Sequence, residues 1–483
     1  MLGNIEPKSV LKFFEEISQI PRGSTNEKGI SDYFIDFAKK RNLWAHQDKA
    51  LNVYIKKPGT SGYEKAPPVI LQGHMDIVCE KNEGVQHDFE KDPIKLIVEG
   101  DWLRADGTTL GADNGAAVAM SLALLDSTDI PHPPLEVLFT AAEEIGLLGA
   151  AAVDGSYFEG KMLLNMDSGL EGYFRVSCAG GARTFTTLTP EYKALPAGHI
   201  VKRVKIKGLK GGHSGNDVAK ERGNSNRLLA RTLRELQVKF GVCFVNISGG
   251  SKENSIPREA EAIISFDGSK LSEVSAAIKQ FEQVLKREYS KSDAGVEILV
   301  EDCKEEIKKV YSEQFCRKVL TVLLTIPHGI EAMSLFFEGL PESSLNLGVI
   351  TSKEDEVVIV NSIRSSVGSR KEMLLEQVAI ISEAAGAKLE IKGVYPAWEY
   401  DEKSALREKA VKLYTEMYGK EPTVWGTHAG LEAGILAEQL GGIDVINFGC
   451  EILDVHSPDE RMNLASLKRC WDFLLKLLVT LAR

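Results

Sequence analysis

The chain has 483 residues, enough for about three domain-sized units. Hydrophobic residues make up 43% and charged residues 26%, a globular balance that excludes a disordered or collagen-like chain. Lys and Arg number 58 against 69 Asp and Glu, a net charge of −11 without a basic block, which argues against a nucleic-acid binder. No apolar run reaches the roughly 20 residues that span a membrane, and the opening MLGNIEPKSVLKFFEEISQIPRG lacks a signal core. The expectation is a soluble, cytoplasmic protein with neither a membrane nor a nucleic-acid partner. The seven cysteines are scattered and form no C-x-x-C pair, so free thiols are expected rather than disulfides or a thiolate zinc site.

The first 180 residues alternate helix-like and strand-like segments. Val10–Ile20 and Gly29–Lys40 have apolar residues at helical spacing, and Gly115–Leu125, rich in Ala, Met and Leu, reads as a buried helix. Val69–Leu71, Leu135–Thr140 and Met162–Met166 are β-rich. The alternation predicts an α/β layer with a mixed, mostly parallel sheet flanked by helices. From about 200 the texture changes. Strand Val201–Lys207, helix Arg227–Gln237, strands Val242–Asn246 and Ala260–Phe266, helix Ser272–Glu288 and strand Gly295–Val300 follow the ferredoxin-like βαββαβ order. Residues 313–392 nearly repeat it: helix Glu313–Leu324, strands Leu345–Thr351 and Glu356–Ser362, helix Met373–Ala385, strand Lys388–Lys392. After Tyr395-Pro396 the α/β texture returns, with helix Ser404–Tyr418, strand Val445–Phe448 and helix Ser466–Leu481. The reading is a split α/β domain, 1–182 and 395–483, interrupted by an inserted α+β domain of ferredoxin-like halves, 183–394.

Acids and histidines cluster where the strands end. His74 and Asp76 follow Val69–Leu71, Asp113 precedes the Ala-rich helix, Glu143 and Glu144 follow Leu135–Thr140, Asp167 ends LLNMD, and His456 follows Val445–Phe448. Ligands of open α/β sheets bind at the carboxyl ends of strands. Imidazole with carboxylate suits Zn, Mn or Co, and a carboxylate can bridge two cations about 3.5–4 Å apart. Five ligands serve such a pair and leave one glutamate over for proton transfer. Each element alone has a blander explanation: a satisfied core histidine, a solvated Glu-Glu pair, a helix cap at Asp113, a turn acid at Asp167. Their joint placement at successive strand ends outweighs these. Asp76, two residues past His74, suits a carboxylate that orients the imidazole. There is no Gly-x-Ser-x-Gly elbow, and Ser248–Ser251 is not followed by the Lys-Ser/Thr pair of a P-loop.

The motifs QGHMD, TTLGADNG, TAAEEIGLLGA, NMDSG, KGGHSG, NSIPRE, THAGLE and HSPDE together resemble the aminoacyl-histidine dipeptidases (Xaa-His or β-alanyl-histidine dipeptidases, cytosol non-specific dipeptidases) of the co-catalytic zinc peptidase clan. The resemblance spans nearly the whole chain. It implies that Asp113 bridges two divalent metals, zinc foremost with Mn or Co admitted. It implies that His74 and Asp167 complete one metal site and Glu144 and His456 the other. Glu143 is then the general base acting on a metal-bridging hydroxide, Asp76 supports His74, and His213 in the inserted domain donates to the oxyanion. Asn254, Arg364, His428 and Gly430 are candidate substrate contacts, Arg364 as a clamp on the free carboxylate. The expected reaction is hydrolysis of unblocked dipeptides, Xaa-His and a broader range, with the insert as a lid and dimerisation domain. A related tripeptidase, an N-acyl-amino-acid hydrolase and a non-catalytic binding relative are the alternatives.

Overall fold

The computed structural model describes residues 2–483. The chain forms two compact units rather than the three that length alone allows. The first comprises residues up to Ser177, Tyr400–Gly426 and Leu431–Arg483, and the second comprises Cys178–Glu399 with Thr427–Gly430. The sequence-based limits at 182 and 394 fall inside the strands Gly180–Leu188 and Lys388–Tyr395. These two strands are hydrogen-bonded to each other from Lys388↔Thr187 to Tyr395↔Gly181, so cutting either one would open a ladder. The short return at 427–430 is tied to the second unit by Ala179, whose N–H donates to the carbonyls of Thr427 and Ala429. Among the described residues, no helix is long and apolar enough to cross a membrane.

The first unit is built on an eight-stranded sheet. In spatial order its strands are Trp44–Gln47, Val53–Lys57, Leu135–Thr140, Val69–His74, Met162–Asn165, Asp444–Asn447, Tyr173–Cys178 and Thr423–Thr427. The pairings along the run from Leu135–Thr140 to Asp444–Asn447 are parallel. Leu135–Thr140 and Val69–His74 are buried at every position, which is why they read as short apolar runs rather than alternating ones. Helices Lys8–Ser18, Lys28–Lys40, Ala112–Asp126 and Leu464–Leu481 bring Phe13, Phe34, Leu122 and Phe473 into one core with Val137 and Phe139. Each such side chain contributes about 1.5–3 kcal/mol on burial. Ala112–Asp126 is buried nearly all round, as its Ala, Leu and Met content predicts.

The second unit holds one long sheet made of two ferredoxin-like halves. The first half has the spatial order Glu297–Asp302, His199–Lys207, Ala260–Asp267, Cys243–Gly249. The second has Pro341–Ser352, Val357–Ser365, Gly180–Leu188, Lys388–Tyr395, with Gly329–Met333 paired to its first strand. The halves join at Gly249↔Ile350. The strand missing from the sequence-based repeat is Gly180–Leu188, which lies upstream of the whole first half. The second half is therefore discontinuous in sequence, and a search for a tandem repeat finds it one strand short.

The join depends on a close approach. A Cβ on Gly249 would lie 2.1 Å from Asn226 Oδ1 and 2.5 Å from the Ala260 Cβ. Gly249→Ala is expected to destabilise the protein by about 1–3 kcal/mol through overpacking. Urea unfolding checks this, and an unchanged midpoint would contradict the close-packed join.

Candidate metal centre and active site

Four parallel strands deliver their ends to one edge of the first sheet. His74 is the last residue of Val69–His74. Its Nδ1 lies 3.0 Å from the backbone carbonyl of Asp76 and 3.6 Å from that residue's Oδ1, which leaves Nε2 facing the acids. The buried Asp76 carboxylate accepts the amide N–H groups of Glu143 (3.0 Å) and Glu144 (3.2 Å) and the Ser24 hydroxyl (2.8 Å). It thus ties the end of Val69–His74 to the turn after Leu135–Thr140. That turn passes through Ala142 at φ 51°, a left-handed conformation uncommon outside glycine. Asp113 has non-helical φ −83°, ψ 104° and a cis peptide to Asn114, and its side chain does not cap the helix it opens. Asn114 Nδ2 donates to the Met166 carbonyl (2.9 Å) and to Asp167 Oδ1 (3.2 Å). His456 also sits at positive φ, 62°.

These residues form three overlapping groups. His74, Asp113 and Asp167 make one, Asp113, Glu144 and His456 a second, and His74, Glu143 and Glu144 a third, each with potential ligand atoms within 4.8 Å of one another. His74 Nε2 is 3.2 Å from Asp113 Oδ1 and 3.8 Å from Asp167 Oδ1. His456 Nε2 is 3.3 Å from Asp113 Oδ2 and 3.0 Å from Glu144 Oε1. The two oxygens of Asp113 therefore face different histidines.

Electrostatics test whether cations fit. Burial opposes a charge on His74, yet Asp113 and Asp76 hold its pKa well above the ordinary value. His456 is pushed up to about 10 by Asp113 and then Glu144. Asp113, despite burial, is held far below the carboxylate range by His456 and His74. Asp167 is pushed up to about 8 by burial and then by Asp113, and Glu143 is raised well above its ordinary value by burial and its acidic neighbours. Without cations, the cluster thus favours charge on the two imidazoles and a proton on Asp167 and Glu143. Glu144 Oε1 is buried, makes no aligned hydrogen bond, and lies 3.0 Å from His456 Nε2. Borderline-hard donors with surplus negative charge and an orphaned carboxylate oxygen fit a pair of divalent cations.

The remaining expected residues lie in the second unit. His213 is in the strand Gly212–His213, paired to Ser255–Ile256. Its Nδ1 accepts the N–H groups of Gly215 (3.2 Å) and Asn216 (3.1 Å), which makes Nε2 the proton-bearing, donating nitrogen. Burial and then the Arg364 charge lower its pKa. Arg364 is buried, bonds the Tyr395 hydroxyl at 3.4 Å, and leaves Nε without a partner. His428 is buried, with Nε2 2.7 Å from Ser344 Oγ and Nδ1 unpartnered. Gly430 faces the Tyr395 ring, 2.8 Å from where a Cβ would stand. Asn254 is exposed, and its carbonyl accepts the Ser214 N–H at 2.8 Å. A buried cation beside two neutral imidazoles, with unfilled donors, makes an anion-accepting cluster.

Residues 70–480 match the model of peptidase family M20/M25/M40. The chain belongs to this family. Among M20 relatives, the cytosol non-specific dipeptidase of Escherichia coli (strain K12) is 34% identical over 477 residues, covering 99% of this chain and 98% of its own. The crystal structure of aminoacylhistidine dipeptidase from Vibrio alginolyticus superposes with a TM-score of 0.92 at 36% identity, covering 99% of this chain and 98% of that one. Aminopeptidase PepT from Bacillus cereus ATCC 10987, at 15% identity, TM-score 0.58 and 99% and 100% coverage, shares the fold alone.

Some residues that support this M20 site gave no sequence signal. Arg22 lies between helices in no motif, whereas Glu432 belongs to the THAGLE motif at a loop-to-helix transition, and its Oε2 accepts from Gln72 Nε2 and Thr140 Oγ1 at 2.7 Å each. Glu460 ends HSPDE, and only its neighbour His456 drew notice. Within the second unit, burial and then the charge of Arg364 push the His428 pKa down to about 3. An unfolded histidine titrates near 6.5, so this group's stabilisation is complete above pH 6.5 and declines as pH falls towards 3. His428→Phe is expected to flatten the pH dependence of stability between pH 6.5 and 4 by up to about 1.4 kcal/mol per pH unit. Urea melts at stepped pH measure this, and identical slopes would contradict a neutral buried His428.

Proposed function

We infer that the chain is a metal-dependent dipeptidase that hydrolyses the peptide bond of unblocked dipeptides, Xaa-His substrates such as β-alanyl-histidine and a broader range. Full-length similarity to two dipeptidases supports the reaction class. The observation that carries the mechanism is Asp113, whose two oxygens face His74 and His456 within two overlapping ligand groups. In this reading His74 and Asp167 hold one cation, Glu144 and His456 the other, and Asp113 both, with zinc the preferred metal and Mn or Co admitted by the same donors. Such a pair supplies Lewis acidity, polarising a carbonyl oxygen and lowering the pKa of water towards about 7.

The protein's own groups do the rest. The Asp76 carbonyl fixes the His74 ring so that Nε2 points at the acids, and the Asp76 carboxylate holds the turn bearing Glu143 and Glu144. Glu143 accepts a proton at its carboxylate from the attacking water and returns it to the leaving amine. His213 offers Nε2–H to the oxyanion. Arg364, with its unpartnered Nε, receives the substrate's terminal carboxylate, and His428 and Gly430 shape its surroundings. Asn254 is the outlying member of this set. A cytoplasmic location and a homodimer formed through the second unit belong to the same reading. Mixing His213→Ala with Glu143→Ala chains tests the dimer: regained activity would mean that His213 acts across subunits, and none that it acts within its own chain.

Metal-stripped protein is expected to be inactive and to regain cleavage of β-alanyl-histidine and α-dipeptides with added Zn, Mn or Co. Tripeptides and N-acetylated dipeptides should remain uncut. Cleavage of the N-acetylated substrate instead would move the chain to acyl-amino-acid hydrolysis, and no metal-dependent cleavage at all would overturn the reading. Glu143→Gln should lower kcat by about 10²–10⁴ while keeping its metals. A near-normal kcat would remove Glu143 from proton transfer.

A further inference from the structure

Glu460 lies four residues past His456 and is 2% exposed. Its carboxylate accepts four successive backbone N–H groups. Oε2 takes Leu110 (2.8 Å) and Gly111 (2.9 Å), and Oε1 takes Ala112 (2.8 Å) and Asp113 (3.2 Å). The loop that carries His456 thus grips the turn that carries Asp113. The same turn is held from another direction by Arg22, whose Nη2 donates to the Gly111 carbonyl (2.7 Å) and Nη1 to that of Met75 (2.9 Å), between His74 and Asp76. Arg22 therefore ties Asp113 to the His74 side of the centre, and Glu460 ties it to the His456 side.

The two ties are not equivalent. His74 ends a fully buried strand in the middle of the sheet, and its position is fixed by that sheet. His456 is half exposed, on a loop with positive φ at both Asp454 and His456. The loop's ends are held by the Asp454–Arg461 ion pair (2.9 Å) and the pairing of Ile452–Leu453 with Arg461–Asn463, and its internal bonds, Ser457 Oγ to the Asp454 carbonyl and Glu460 N–H to the Ser457 carbonyl, do not reach the Asp113 turn. We propose that Glu460 is a positioning residue that sets the distance from His456 to Asp113, so that losing its carboxylate weakens the Asp113–Glu144–His456 subsite and spares the His74–Asp113–Asp167 subsite. The inference rests on the two-cation reading above.

Glu460→Gln keeps the shape but turns an NH2 group towards two of the four N–H donors, so the turn and the loop part on that side. The test titrates metal-free protein with zinc by calorimetry. Wild type is expected to bind two zinc ions per chain. Glu460→Gln should bind one zinc as wild type does and the second about 10–100-fold more weakly, the usual effect of removing a group that supports ligands. Glu136→Gln is the control. Glu136 also clamps backbone, the N–H groups of Glu159 and Gly160, but from the far end of Leu135–Thr140, and its loss should leave both zinc affinities unchanged. Should the glutamine variant not fold, Glu460→Asp, charged but one methylene shorter, is expected to show the same split. Two wild-type affinities in the Glu460 variant would overturn the inference and leave the two-cation reading standing. Equal weakening of both would also overturn it, by reducing Glu460 to general support of the fold. Fewer than two zinc ions on wild type would instead overturn the reading beneath it.

Discussion

The molecule is organised around a like-charge problem. Asp113, Asp167, Glu143 and Glu144 are brought together with only two imidazoles, at the ends of strands whose interiors are fully dry. Two like charges about 4 Å apart repel by about 4 kcal/mol even at an effective dielectric of 20. No sequence tolerates that assembly without strong local restraint and a source of positive charge. The restraint is visible around these groups: Asp76 across two amides, Asn114 on Asp167, Glu460 across four amides, Arg22 between two carbonyls. The parallel sheet makes the restraint affordable, because strand ends are fixed by ladders that are already satisfied. The positive charge is what metal supplies.

Behind the ligands runs a buried polar chain. Glu432 accepts from Gln72 and Thr140, Gln72 accepts from Asn165, Asn165 from Asn447, and Asn447 also donates to the Asp167 carbonyl. It crosses neighbouring strands just below the site and explains why polar residues interrupt otherwise apolar strands such as VILQGH and MLLN. Such a chain fixes register as well as stability, since a slip of one residue would leave several buried groups unpaired.

Much of this was legible in the sequence because it is periodic or chemically rare. The apolar runs at Val69–Leu71 and Leu135–Thr140 locate central strands, and a His or acid just past each run is an unusual cost for a core to carry. The α/β fold with a ferredoxin-like insert followed from changes in periodicity. What stayed hidden has a physical reason in each case. Gly180–Leu188 joins a half whose other elements come more than a hundred residues later, so local pattern cannot assign it. Arg22 and Glu460 act through backbone amides and carbonyls, and backbone partners leave no mark in sequence spacing. The carbonyl of Asp76, nearer to His74 than its carboxylate, is invisible for the same reason.

The second unit carries a different chemistry. It gathers a buried Arg364 and His428 with a half-buried His213, and leaves Arg364 Nε and His428 Nδ1 unpartnered.

Anomalous X-ray diffraction at the zinc edge, from crystals of zinc-loaded protein, is the most direct measurement of the central claim. The account expects two peaks about 3.5–4 Å apart, one beside His74 and Asp167, the other beside Glu144 and His456, with Asp113 between them. A single peak, or zinc held away from Asp113, would contradict it.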